Sequence, residues 1–171
     1  LYPPRLPVSL VARPQLCARL EAGTTHKLTL ISTPAGFGKT TAVVQWLSER
    51  NTSYSLSLNG ASSTTSPSPS IQSVAWLTLD EGDNDPVRFL RYIIAACQTF
   101  HPDLGRSALA LLFHTLQPPF ELPPPETLLT FLLNDIVHNV EDGLLILDDY
   151  HVIKEPIIHE SMAFFIDHLP P

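Results

Sequence analysis

Basic side chains are in short supply: ten Lys and Arg stand against seventeen Asp and Glu, giving a formal net charge of −7. That acidic balance argues against this chain itself gripping a nucleic-acid backbone or an anionic membrane. Cysteine is nearly absent. Cys17 and Cys97 stand alone without CxxC spacing, which argues against a disulfide framework or a zinc site and fits reduced, buried thiols in a cytoplasmic protein. Long apolar runs are missing too: none approaches the roughly 18 residues needed to span a bilayer. Pro3, Pro4, Pro7 and Pro14 interrupt the N-terminus where a signal core would lie. The seven histidines are scattered without metal-ligand spacing, and no nucleophile-elbow motif occurs, so metal-hydrolase and serine-hydrolase chemistry are set aside.

What is present is apolar and punctuated. Of 171 residues, 44% are hydrophobic and 17 are proline, a composition that suits one globular domain with a real core. Residues 1–26 read as a Pro-studded lead-in with a short helix at Pro14–Ala22. The remainder, 27–171, alternates strands and helices. Leu28–Ser32 reads as a buried strand, and Thr40–Arg50 as a helix with Ala42, Val43, Trp46 and Leu47 on one face. The stretch 51–73 is rich in Ser, Thr, Pro and Asn with almost no charge. So polar a segment cannot offset its ordering entropy by burial, and it is expected to be a disordered surface insertion, a weak hairpin near 53–59 being the alternative.

Beyond it, Val74–Leu79 reads as a second strand, and Asp80–Asp85 as an acidic turn before a helix that opens at Pro86 and buries Phe89, Leu90, Ile93, Ile94 and Cys97. Helices are expected at Leu104–Leu116, Glu126–Asn139 and Pro156–His168, with a third strand at Leu144–Leu147. Strands alternating with helices predict an α/β fold with a parallel sheet and helices on its faces.

Two segments carry chemistry. Thr33-Pro34-Ala35-Gly36-Phe37-Gly38-Lys39-Thr40-Thr41 follows an apolar run and opens a helix. Small residues there let backbone N–H groups close around phosphates, and the helix N-terminus adds partial positive charge. Lys39 would neutralise the β/γ-phosphates of a nucleotide, and the Thr40 hydroxyl would hold Mg²⁺. The general pattern has glycine where this chain has Thr33, a change the cradle tolerates if that backbone needs no positive φ. Such a loop needs a metal-holding carboxylate at the end of a neighbouring strand, and Leu144-Leu145-Ile146-Leu147-Asp148-Asp149 supplies one. Asp148 would bind Mg²⁺, directly or through water, and Asp149 would orient or deprotonate an attacking water. A solvated turn after a core strand is the plainer alternative for the two acids.

Taken together, Ser32–Thr41, Trp76–Asp85 and Leu147–Ile153, with Ile158–Ile166 and Val11–Leu16, resemble the N-terminal ATPase domain of the large LuxR-type transcriptional regulators, the maltose-regulon-activator-like class. The matches run in order over nearly the whole chain apart from 51–73 and the looser 98–125. The resemblance implies a three-layer P-loop NTPase of the STAND type: a cytoplasmic switch held inactive with ADP, driven by ATP and an inducer to self-associate, and reset by slow hydrolysis. It also implies that Ser or Thr is ordinary at the position of Thr33. By the same likeness Arg13 would lie near the adenine, an Arg capping a short surface helix being the alternative. The acidic turn is a hallmark of the family, with either a ligand-facing or a purely turn-and-cap role.

The family continues past the point where this chain stops, with a sensor strand, a winged helix, a helical-repeat inducer sensor and a DNA-binding helix-turn-helix. Direct DNA contact is therefore not expected from this segment. In that class the sensor strand lies between the phosphate-loop strand and the Asp148 strand, so the sheet is expected to be incomplete. With Leu1 in place of Met, the chain is expected to be a fragment with little ATP hydrolysis of its own. Two other readings stand beside this one. A metabolic P-loop kinase would need a basic lid, yet after Lys39 only Arg50, Arg88, Arg91, Arg106 and Lys154 are available. A non-functional structural remnant would keep the motifs without a competent fold.

Overall fold

The computed structural model describes residues 4, 11, 13–34, 36–58, 73–115 and 123–170, with the backbone alone at 51–58 and 114–115. Among these the fold is α/β: helices α1 (Pro14–Gly23) and α2 (Lys39–Leu58), strand β1 (Ser73–Thr78), helices α3 (Pro86–Cys97), α4 (Arg106–Thr115) and α5 (Pro125–Asn139), strand β2 (Gly143–Asp148) and helix α6 (Pro156–His168). The chain divides into two compact units, Pro3–Pro69 and Ser70–Pro171, the latter together with Leu1–Tyr2.

In the Ser70–Pro171 unit, β1 and β2 pair in parallel from Ser73↔Gly143 to Thr78↔Asp148. β1 buries Ala75, Trp76 and Leu77 consecutively, as a parallel strand covered on both faces does. Proline opens α3, α5 and α6, where its fixed φ suits the first turn and its missing N–H costs nothing. Asp85 caps α3 by accepting from the Arg88 N–H at 2.7 Å. One apolar core then joins Phe89, Ile93 and Ile94 of α3, Leu112 of α4, Leu129 and Leu132 of α5, and Ile158 and Phe165 of α6. Burying each such side chain contributes about 1.5–3 kcal/mol.

In the Pro3–Pro69 unit, Glu21 of α1 ties the two helices together. Its carboxylate accepts from Trp46 Nε1 at 2.9 Å and from Arg50 Nη1 at 2.8 Å. Ala42, Val43, Trp46 and Leu47 are all buried, as the helical spacing predicts.

Two expectations are corrected. Leu28–Ser32 is not a strand: the segment has no ladder among the described residues, and Leu28 and Leu30 are 57% and 80% exposed. Thr29 instead turns its hydroxyl back to the Gly23 carbonyl at 3.0 Å, at the end of α1. An apolar run becomes a buried strand only where a neighbour pairs its backbone, and none does so among the described residues. Residues 51–58, assigned by composition to the insertion, continue α2. The rest of that stretch, 59–72, lies outside the described residues.

Candidate functional site

The phosphate-loop residues form a turn closed around a lysine. Thr33 and Pro34 are exposed, and Gly36 and Gly38 take φ of +84° and +75°, the left-handed region that glycine enters without cost. α2 begins directly after them, its first turn closed by Ala42 N–H donating to the Gly38 carbonyl at 2.9 Å. Lys39 folds back over the turn, and its Nζ donates to the carbonyls of Thr33 at 2.9 Å and Pro34 at 3.3 Å. Thr33 thus contributes through its main chain. It has no positive φ, so the missing glycine costs the loop nothing in backbone conformation. Thr40 and Thr41 are half-buried in the first turn of α2. Phe37 is exposed, and Ala35 lies outside the described residues.

Arg13 belongs to the same unit and touches the loop. Its Nη1 donates to the Phe37 carbonyl at 3.3 Å, and a Cβ at Gly38 would lie 3.8 Å from each of its two terminal guanidinium nitrogens. Its main-chain carbonyl accepts from Leu16 and Cys17 at the start of α1. Its main chain thus opens α1 with no side-chain cap, and its side chain rests on the loop.

Asp148 and Asp149 stand at the C-terminal end of β2, in the other unit. The Asp148 carbonyl accepts from Leu79 N–H at 3.0 Å, carrying the pairing one residue past β1. Its Oδ1 accepts from Asp149 N–H at 3.1 Å. Asp149 adopts φ 57° and ψ 29° and begins a short helical turn at Tyr150–Val152. Its carboxylate lies 3.7 Å from Nδ1 of His151. The Tyr150 hydroxyl meets His159 Nδ1 at 2.9 Å, and burial pushes that phenol's pKa up.

The acidic turn is a network of capping contacts. Asp80 and Asp83 form a reciprocal capping box. Asp83 is 1% exposed and faces Arg88 Nε at 2.9 Å as an ion pair rather than an aligned hydrogen bond. Asn84 crosses to the chain beyond β2. Its Nδ2 donates to the carbonyls of Glu81 and Val152, each at 3.0 Å, and its Oδ1 accepts from the N–H groups of Lys154 at 2.6 Å and Glu155 at 3.2 Å. Sequence reasoning passed over Asn84, because its signal is a set of contacts made 68–71 residues away. A cleft of about 290 Å³ opens at the opposite ends of the strands, by Ser73, Phe100, His138 and Asp142, away from the acid pair.

Thr40 belongs to the Pro3–Pro69 unit and Asp148 to the Ser70–Pro171 unit, and each carries a hard oxygen of the kind Mg²⁺ takes. Among the described residues, no group of three or more His, Cys, Asp or Glu side chains is placed to hold a metal. No described helix is long and apolar enough to cross a membrane. No protein-family model matches the chain.

Proposed function

We propose that this chain is the ATP-binding switch segment of a LuxR-type transcriptional regulator, with a P-loop NTPase architecture of the STAND type. The observation that carries the reading is the loop itself: two left-handed glycines, an ammonium group held over the turn, and a helix opening directly behind it. That is how a chain arranges backbone N–H groups and one positive charge for a phosphate. Pro34, Ala35, Gly36, Phe37 and Gly38 would line the phosphates and Lys39 would leave the carbonyls of Thr33 and Pro34 for them. Thr40 and Thr41 would meet them at the helix N-terminus, and Arg13 would contact the nucleotide from the α1 side. Thr40 and Asp148 would hold Mg²⁺, which when bound supplies charge neutralisation on the phosphates. Asp149 would hold or accept the proton of a hydrolytic water, making the protein at most a slow regulatory ATPase. Self-association would belong to the full-length protein, and DNA contact to regions outside this segment.

Binding of fluorescent ATP and ADP, with and without Mg²⁺, tests this. The switch reading expects retained ADP and a loss of about tenfold or more in Lys39→Ala, the cost of removing a charged hydrogen-bond partner. Phosphorylation of an added metabolite would point to a kinase instead. The exposed Leu28 and Leu30 favour one further reading, a remnant without a competent site, and absence of any nucleotide binding would establish it.

A further inference from the structure

We infer that Asn84 is the positioning residue for the acid pair Asp148–Asp149, and that the acidic turn is the brace that carries it. The side chain uses its whole hydrogen-bonding capacity. Two amide hydrogens go to two carbonyls, and two lone pairs receive two N–H groups. Rotating the amide by half a turn would set N–H against N–H and oxygen against oxygen, so the network admits one orientation.

The brace is stiff at its own end. Gly82 N–H donates to Asp80 Oδ1 at 2.7 Å, and Asp80 N–H donates to Asp83 Oδ2 at 2.8 Å. Asp83 faces Arg88, and Asp85 caps α3. The loop it grips is fixed at its other end by β-pairing, where the Leu79 N–H reaches the Asp148 carbonyl. Asp149 lies between these two anchor points. Inside the loop its carbonyl accepts from Val152 N–H, and the Tyr150 carbonyl accepts from Ile153 N–H, both at 3.1 Å. A left-handed aspartate held between two anchors persists because its surroundings over-determine it. Removing Asn84 frees the Val152–Glu155 end, lets Asp149 relax to an ordinary φ and turns both carboxylates away from their present positions. Partners that orient metal-binding side chains act in this way.

The consequence for Mg²⁺ rests on the nucleotide-switch reading; the consequence for Asp149 does not. The experiment takes the full chain, its Asn84→Ala variant and the conservative Asn84→Asp, which keeps acceptors for Lys154 and Glu155 but cannot donate to Glu81 and Val152. Two readouts are taken on each: backbone chemical shifts of Asp149, which report its left-handed conformation, and affinity for fluorescent ADP in Mg²⁺ and in EDTA. In Asn84→Ala the left-handed signature is expected to vanish. The affinity gain from Mg²⁺ is expected to fall about 10–100-fold, with the EDTA affinity unchanged. Asn84→Asp is expected to fall between that variant and the parent, and it carries the test if Asn84→Ala does not fold. A folded Asn84→Ala that keeps both the signature and the Mg²⁺ gain overturns the inference, as does parallel loss of affinity in Mg²⁺ and EDTA. If the parent chain shows no Mg²⁺ gain at all, the switch reading fails, and the Asp149 signature alone decides the role of Asn84.

Discussion

Asp149 is the one non-glycine among the described residues with a positive φ, 57°. An L-residue there pays about 1–2 kcal/mol against glycine, somewhat less for aspartate, whose short polar side chain suits that region. The position follows a strand end, and its half-exposed carboxylate meets His151 Nδ1 at 3.7 Å. Asp149→Gly is therefore expected to be at least as stable as the parent, and Asp149→Ala less stable than Asp149→Gly by about 1 kcal/mol. Urea unfolding of the three chains measures this, and equal midpoints for the Ala and Gly variants would show that no strain resides there. Thr33 makes the opposite case. It stands where the general loop pattern has glycine, yet its φ is not positive and its carbonyl does the work by holding Lys39.

At the level of elements, Gly105 joins three helices. Its φ is +68°, its N–H donates to Asp135 Oδ2 of α5 at 2.8 Å, and its carbonyl receives the Leu109 N–H that starts α4. A Cβ there would sit 2.5 Å from Ile94 Cγ2 of α3. Gly105→Ala is expected to destabilise the Ser70–Pro171 unit by about 2–5 kcal/mol, the sum of a left-handed alanine and an overpacked contact. Loss of midpoint in urea with an unchanged slope is the measurement.

The same scale shows what could be read before the structure. Helices that begin at Pro86 and Pro156 announce themselves, since proline and the residue before it restrict the backbone locally, whereas α5 opens at Pro125, one residue ahead of its expected start at Glu126. Strands at 73–78 and 143–148 differ by about one residue at each end from the apolar runs that suggested them. Leu28–Ser32 misled because pairing is non-local: the residues are strand-like, but a strand also needs a neighbour. The loop of Gly36, Gly38 and Lys39 was legible as a conformation because glycine and a helix start are local facts. The brace of Asn84 was not, since its partners at Val152, Lys154 and Glu155 belong to another part of the sequence.

For the molecule as a whole, charge and buried acids set the response to pH. The chain already carries a formal net charge of −7, so every further ionisation on the alkaline side adds to self-repulsion. Cys97 lies in the core of the Ser70–Pro171 unit, 1% exposed, and burial pushes its thiol from its ordinary value of 9.0 up to about 12. Below about 9 the folded and unfolded chains both hold that proton, and its contribution to stability is complete. Between about 9 and about 12 the unfolded thiol ionises while the folded one cannot, so stability falls as pH rises through that window. Tyr150, its phenol also raised by burial, adds to the fall in the same direction. Each such proton is worth about 1.4 kcal/mol per pH unit within its window. Cys97→Ala costs stability at every pH by leaving space in the core, yet it should flatten the alkaline fall by about one proton. Urea unfolding of parent and variant at intervals between about pH 8 and about pH 11 measures the two slopes. Equal slopes would place the Cys97 thiol in contact with water and overturn its assignment to the core.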